Sequence, residues 1–119
     1  PPIWVGGMKP GALRRAARMD GWIAIAVADD GSGINLSADA FEAMVGRVRD
    51  ERVRLGRADD PFDVALFAMS EPGDRDLVRS YELAGATWWL ESLSPMRGSL
   101  DALLSIVEAG PPRQGPPAG

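Results

Sequence analysis

Four apolar segments with the character of strands alternate in this chain with four segments whose apolar residues recur at helical spacing. The predicted strands cover residues 3–7, 22–28, 62–69 and 86–91. The predicted helices cover residues 10–19, 37–55 with Ser37 as N-cap, 77–84, and 99–110 with Ser99 as N-cap. Because two parallel strands can be joined only by a long crossover, this alternation predicts an α/β fold with a parallel sheet.

The second and third predicted strands are apolar on both sides. In the second, Ile23 and Ile25 point one way and Ala24 and Ala26 the other, so we expect both faces of the sheet to be buried. Right-handed crossovers between neighbouring strands place all four helices on one side, and something else must cover the other. A closed eight-stranded barrel of ~250 residues does this with its interior side chains. The sequence therefore predicts half of a TIM (β/α)8 barrel, four βα units over residues 1–110, followed by a Pro/Gly-rich tail at 111–119 that we expect to be disordered.

The amino-acid composition limits the catalytic groups, metal ligands and partners that the chain can have. The sequence contains no cysteine and no histidine, which excludes a thiolate nucleophile, a Cys/His zinc site and the usual general base. Its net charge is −4, and the arginines are scattered among acidic neighbours, so there is no basic stripe for nucleic acid. No apolar run approaches the ~20 residues of a membrane helix, and no secretory leader pattern is present. We expect a cytoplasmic protein that contacts neither membrane nor nucleic acid and whose chemistry comes from a cofactor or from carboxylates.

The turn after the first strand has the features of a phosphate site. Gly6 and Gly7 allow close approach of the backbone to a ligand, and the helix that begins at Pro10 points its free N–H groups at the same place. Lys9 adds a positive charge. The alternative is a tight βα turn in which the glycines serve only geometry and Lys9 is solvated.

Two other charged segments are interpreted as surface features. Arg14, Arg15 and Arg18 spread around the first helix, as solvated side chains do. Residues 29–35 contain several oxygen side chains but lack the ligand spacing and closing Glu of an EF-hand, so we predict no metal site there.

Several segments of the chain resemble the bacterial luciferase-like flavin-dependent oxidoreductases, TIM-barrel enzymes that use FMN or a deazaflavin cofactor. The resemblance extends from Pro1 to Arg113 and is carried by Pro2-Ile3-Trp4-Val5-Gly6-Gly7, Ala16-Ala17-Arg18-Met19-Asp20-Gly21-Trp22, Phe62-Asp63-Val64, Ala84-Gly85-Ala86-Thr87-Trp88-Trp89-Leu90-Glu91 and Ser94-Pro95. It implies that these are the fifth to eighth βα units of a barrel. The first four units, which carry much of the flavin-ring and substrate chemistry in that family, have no counterpart here, so the resemblance implies a chain that is inactive alone.

The resemblance also implies which residues hold the cofactor. Carried over by position, the phosphate of FMN or of the deazaflavin would lie against Gly6, Gly7, Met8, Lys9 and Ala12. Glu91, Ser92 and Ser94 follow the fourth strand, at the edge where barrel active sites are built, and are candidates for the pocket wall. The alternative for Glu91 is an ion pair with Arg97 across a loop. Trp88 and Trp89 face opposite sides of the strand, one under the helices and one toward the barrel interior.

Two functions from different classes remain open at this point. The first is the C-terminal half-barrel of a luciferase-like oxidoreductase, which supplies the cofactor phosphate site. The second is a small non-enzymatic module with a doubly wound sheet that binds a phosphorylated ligand or a protein partner. A half-barrel would leave an apolar sheet face and two strand edges uncovered. It therefore predicts a homodimer or a complex with the missing N-terminal half.

Overall fold

The computed structural model describes residues 1–112 as four strands, four α-helices and one 3-10 turn. The strands are β1 (Trp4–Gly6), β2 (Gly21–Ile25), β3 (Asp63–Ala68) and β4 (Trp88–Glu91). The helices are α1 (Pro10–Ala17), α2 (Ala38–Arg54), α3 (Arg75–Leu83) and α4 (Leu100–Ala109), and the 3-10 turn is Pro95–Arg97. Most of the expected disordered tail, residues 113–119, lies outside the described residues.

All four strands are parallel and lie in the order β1-β2-β3-β4. Trp22 pairs with Val5 on one side and with Val64 on the other, which sets the register of the first three strands. The α/β class and the parallel sheet of four βα units are confirmed. A doubly wound sheet needs a switch in strand order, so the doubly wound alternative is wrong for this chain.

One face of the sheet and helices α1, α2 and α3 form a common core. Trp22 stacks on Phe41 of α2 with ring centroids 5.9 Å apart, and Phe41 meets Tyr81 of α3, also at 5.9 Å. Tyr81 in turn contacts Trp89 at 5.8 Å. The aromatic series links strands and helices, and the remaining core consists mainly of Leu13, Ala16, Ala17, Ala24, Val45, Val48, Val64, Leu66 and Ala68.

The opposite face of the sheet is only partly covered. Ile25 is 49 % exposed and Trp88 is 52 % exposed, so the expectation that both faces are buried is wrong for the described chain. The reason is that the helices of residues 1–112 that join the common core all do so from the other side. Trp88 and Trp89 do face opposite sides, with Trp89 packed on Tyr81 and Trp88 against Trp4 at 5.7 Å.

Helices α2 and α4 are capped at their N-termini by the two serines that the sequence predicted. The Ser37 side chain accepts from the Ala40 N–H at 3.1 Å, and the Ser99 side chain accepts from the Ala102 N–H at 3.2 Å. Helix α4 is less embedded than the others, with Leu100 and Val107 mostly exposed. None of the helices in residues 1–112 combines the length and apolar character needed to cross a bilayer. The cytoplasmic location stays a prediction.

Candidate functional site

An open cleft of about 730 Å³ lies at the carboxyl ends of β1 and β2. It brings together all five residues predicted to hold the cofactor phosphate, namely Gly6, Gly7, Met8, Lys9 and Ala12. It is completed by Gly11 and Arg15 of α1 and by Ile25, Val27, Asp29 and Asn35 from the end of β2 and the following loop. This is the edge of a parallel sheet at which α/β proteins bind their ligands.

The turn between β1 and α1 depends on glycine at position 7. Gly7 has φ +126°, and a Cβ there would lie 2.7 Å from the Cβ of Ala12. The indole N–H of Trp22 donates to the Gly7 carbonyl at 2.7 Å and ties the turn to the core. The turn is therefore held in one conformation by groups on both sides.

Three backbone N–H groups at this turn have no acceptor within residues 1–112, those of Met8, Lys9 and Gly11. The next two, of Ala12 and Leu13, both donate to the Lys9 carbonyl, at 2.9 and 3.1 Å. Ala12 therefore contributes a wall of the cleft rather than a free donor. Unpaired N–H groups at the start of a helix, with the positive end of its dipole, favour an anion.

Two side-chain cations line the same cleft. Lys9, the N-cap residue of α1, makes no side-chain capping bond and is the single lysine of the sequence. The Arg15 guanidinium folds back along the helix, so that its Nη1 lies 3.6 Å from where a Cβ on Gly11 would be. The sequence predicted Arg15 on the solvated surface, and it is exposed; it also lines the cleft, which the sequence analysis did not predict. The one available signal was Gly11, whose missing side chain leaves room for the guanidinium.

The opposite wall of the cleft is apolar near the sheet and polar at its outer end. Ile25 and Val27 form the apolar part, and Asp29 and Asn35 lie beyond them. The Met8 sulfur accepts from the Ile25 N–H at 3.3 Å and fills the end of the β1–β2 ladder. The cleft can accept a molecule that has an anionic group at one end and a flat apolar body next to it.

The predicted pocket-wall residues at the end of β4 do not line this cleft. Glu91 accepts from the Ser70 N–H at 2.8 Å, the Ser70 hydroxyl, the Trp89 indole at 3.2 Å and Arg97 at 2.6 Å. The Arg97 side chain is 3 % exposed and also donates to the Ser92 and Ser70 carbonyls at 2.6 and 2.7 Å. The ion pair considered as the alternative for Glu91 is therefore present, and it ties the ends of β3 and β4 together.

Glu91 borders a second cavity of about 240 Å³ on the helix side of the sheet. That cavity is lined by apolar side chains of α3, α4 and β4 and by the segments that follow β3, β4 and α4. Ser92 is buried, and Ser94 starts the 3-10 turn by accepting from the Arg97 N–H at 3.0 Å. The Ser94 bond is made by its backbone carbonyl, and neither serine lines the cleft at the glycine turn.

Comparison with known proteins adds little to this geometry. No family model matches the chain, and no solved structure matches it. Uncharacterized proteins of Mycobacterium tuberculosis and Mycobacterium bovis are 35 % identical to it over 68 residues, which is 57 % of this chain and 20 % of each relative. The matched part of the chain thus spans about a fifth of the length of these curated relatives.

Proposed function

We propose that this chain is the C-terminal half-barrel of a luciferase-like oxidoreductase or monooxygenase and that it holds the phosphate of FMN or a deazaflavin cofactor. The observation that carries the proposal is the β1–α1 cleft, where the free N–H groups of Met8, Lys9 and Gly11 lie beside the cations of Lys9 and Arg15. The sequence resemblance supplies the cofactor class. The sequential parallel sheet is the architecture that a half-barrel requires.

The chain's own groups would bind and orient the cofactor. The N–H groups and Lys9 fix its phosphate, while Ile25 and Val27 offer an apolar surface to the part next to it. When bound, such a cofactor supplies the redox step, either oxygen chemistry for a reduced flavin or hydride transfer for a deazaflavin. With neither histidine nor cysteine in the sequence, the groups of this cleft that could give acid–base help are the Asp29 carboxylate at its outer end and the Lys9 amine.

Among the described residues, the cleft has walls from β1, α1, the end of β2 and the loop that follows it, and the sheet face beside it is open at Ile25. A flavin ring needs a surrounding pocket that excludes water. We therefore propose that the isolated half-barrel holds the cofactor phosphate but completes its pocket only with a second copy or with an N-terminal half-barrel.

A non-enzymatic function of the same cleft is the second candidate. The open shape of the cleft and the full engagement of Glu91 in structural bonds favour a module that binds a phosphorylated ligand without chemistry. The two candidates share the phosphate site and differ in whether a flavin-type ring adds affinity.

Binding measurements with matched ligands test the proposal. We expect FMN and the deazaflavin to bind more tightly than riboflavin, which lacks the phosphate, and the Lys9→Gln variant to bind FMN about tenfold more weakly, as loss of a charge-assisted bond predicts. Arg18→Gln is the control, because it removes the same charge from α1's C-terminal end, outside the cleft. Equal affinity for FMN and riboflavin would refute the phosphate site. Competition by inorganic phosphate with no preference for flavins would instead favour the non-enzymatic candidate.

A further inference from the structure

The loop that joins β2 to α2, residues 26–37, is here called the cleft loop, because it supplies part of the wall opposite the glycine turn. At its base the Asn35 N–H donates to the Ala26 carbonyl and the Ala28 N–H donates to the Gly33 carbonyl, each at 2.9 Å. These bonds fold the loop into a short hairpin. Asp29, which lines the cleft together with Asn35, lies just beyond the base, so the positions of both side chains depend on the position of the hairpin.

The tip of the cleft loop is shaped by local bonds and by a contact from a distant part of the chain. The Gly31 N–H donates to the Ala28 carbonyl at 2.9 Å, and the Ser32 N–H donates to the Asp30 carboxylate at 2.9 Å. Gly31 has φ +71°, and a Cβ there would lie 2.7 Å from Cβ, 3.1 Å from Sδ and 3.5 Å from Cγ of Met96. The Met96 side chain therefore lies directly against the tip of the loop, where only glycine leaves room for it.

Met96 itself lies on a turn that is tied to the ends of two strands. It is the middle residue of the 3-10 turn after β4, and the side chain of its neighbour Arg97 is 3 % exposed. The Arg97 guanidinium pairs with Glu91 at 2.6 Å and donates to the Ser92 and Ser70 carbonyls at 2.6 and 2.7 Å. Movement of the turn would break these bonds, so Met96 is a fixed support for the tip of the cleft loop.

We infer that Met96 is a positioning residue for the candidate cofactor site: it supports the tip of the cleft loop and so holds Asp29 and Asn35 in the wall beside the cofactor. The inference rests on the proposed function for the identity of the ligand, whereas the contact between Met96 and Gly31 does not. Met96 lies outside the cleft and acts only through the loop. Its removal therefore weakens binding of the part of the ligand beside the loop and leaves the phosphate contacts of the glycine turn as they are.

The exposure of Met96 makes this role separable from a role in folding. Met96 is 64 % exposed and does not belong to the core that the helices share with the sheet. Met96→Ala removes Cγ and Sδ from beside Gly31 and leaves that core intact. Met96→Leu keeps a long apolar side chain at the same place and is the conservative variant. Met19→Ala is the matched control, because Met19 is 39 % exposed and lies between α1 and β2, at the amino end of the sheet.

Amide hydrogen exchange of the 119-residue chain, followed by NMR, tests the support of the loop without any ligand. We expect the Ala28 and Asn35 N–H groups to exchange about tenfold faster in Met96→Ala, because the hairpin opens locally more often. The N–H groups of β2 should keep their rates, and Met96→Leu and Met19→Ala should exchange as the unmodified chain does. Unchanged rates at Ala28 and Asn35 in folded Met96→Ala would overturn the inference.

Binding measurements then connect the loop to the cofactor site. We expect Met96→Ala to bind FMN and riboflavin about threefold to tenfold more weakly than the unmodified chain, because ordering the loop on binding costs more, and we expect Met96→Leu to restore both affinities. The affinity for inorganic phosphate should be the same in all variants, because it depends on the glycine turn.

Two binding results would contradict the role of Met96. One is an equal flavin affinity in Met96→Ala and Met19→Ala, and the other is a loss in Met96→Leu as large as that in Met96→Ala. If the unmodified chain bound neither FMN nor riboflavin, the proposed function would be wrong, and the exchange rates would still show whether Met96 supports the loop.

Discussion

At the scale of single residues, Gly21 of β2 lies where the neighbouring strands β1 and β3 leave no room for a side chain. A Cβ at this position would lie 2.6 Å from Cδ1 of Trp4 and 2.9 Å from the Asp63 carbonyl oxygen. We expect Gly21→Ala to lower the free energy of unfolding by about 1 to 3 kcal/mol, because a backbone oxygen and a large ring both have to shift. Chemical denaturation followed by tryptophan fluorescence measures the change.

Gly46 provides the matched control for that substitution. It lies inside α2, and a Cβ there meets nothing within 4 Å. Gly46→Ala should therefore stabilise the protein by roughly 0.5 to 1 kcal/mol through the lower entropy of the unfolded chain. If Gly21→Ala were as stable as Gly46→Ala, the placement of Trp4 over β2 would be wrong.

Tyr81, the single tyrosine of the sequence, makes stability sensitive to alkaline pH. Burial raises the pKa of its phenol above the usual 10.0, and its O–H donates to the Leu36 carbonyl at 2.5 Å. Above that usual value the unfolded state loses the proton while the folded state still holds it, so stability present below pH 10 falls as the pH rises further. Absorbance of tyrosinate during a pH titration should show ionisation above the value for free tyrosine, and ionisation at the free value would contradict the buried position.

The residues of the β1–α1 turn could be predicted because glycine spacing and a helix start are local features. Gly6, Gly7 and Lys9 followed from this local pattern, whereas Met8 and Ala12 came only from the family resemblance. Helical spacing correctly predicted that Arg15 is exposed, but only the structure shows its guanidinium folded toward Gly11 at the cleft. For Glu91 the sequence left two roles open, a pocket-wall residue or an ion pair with Arg97. The contacts that distinguish these roles include Ser70, which lies 21 positions earlier, just after β3.

At the scale of elements, Arg52 joins α2 to the ends of α1 and the loop before β3. It is 1 % exposed, donates to the carbonyls of Ala17, Met19, Arg57 and Asp60, and lies 4.3 Å from the ring centroid of Phe62. Arg52→Met should destabilise the fold by about 2 to 4 kcal/mol, because four carbonyls lose their donor. Thermal unfolding measures the loss.

Arg54 is the control for this prediction, two positions along the same helix. Its side chain is 65 % exposed and pairs with Glu51, so Arg54→Met should cost no more than about 1 kcal/mol. If Arg52→Met and Arg54→Met lowered the unfolding free energy by similar amounts, the contacts of Arg52 would not be what holds these elements together.

The Glu91–Arg97 pair makes a prediction that separates stability from binding. Glu91→Gln removes the negative charge facing a buried guanidinium and should destabilise the loop after β4 by roughly 2 to 3 kcal/mol. It should leave FMN affinity unchanged, since Glu91 borders the other cavity. The control is Glu71→Gln, because Glu71 is 73 % exposed and 3.6 Å from Arg97. A loss of FMN affinity in folded Glu91→Gln would contradict this prediction and would show that Glu91 contributes to the cofactor pocket.

Element type and order were readable from the sequence, whereas strand ends were not. The second strand was predicted to run to residue 28 but ends at Ile25, because Val27 instead forms an antiparallel bridge with Ile34 in the loop that follows. The apolar residues continue past the bend, and apolar character alone does not report a change of direction. The 3-10 turn at Pro95–Arg97 was missed for a similar reason, since it is stabilised by Arg97 contacts to distant carbonyls.

At the scale of the whole molecule, residues 1–112 form a parallel sheet that is covered on one side by α1, α2 and α3 and is partly open on the other. Strand order and direction followed from the length of the crossovers, which is a property of the chain alone. The described residues do not fully cover the other face of the sheet, so the sequence pattern could predict only that a cover is needed. The same limit applies to the cofactor, because free N–H groups and an apolar wall do not specify which ring would lie beside a phosphate.

The central claim is that the turn after β1 binds the phosphate of a flavin-type cofactor, and a two-dimensional amide NMR titration with FMN tests it most directly. We expect the largest shifts at the N–H groups of Met8, Lys9 and Gly11, smaller shifts at Ile25 and Val27, and none at Ser92. Riboflavin should leave the first three signals in place. Shifts centred on the residues after β4, or an unchanged spectrum at millimolar FMN, would contradict the account.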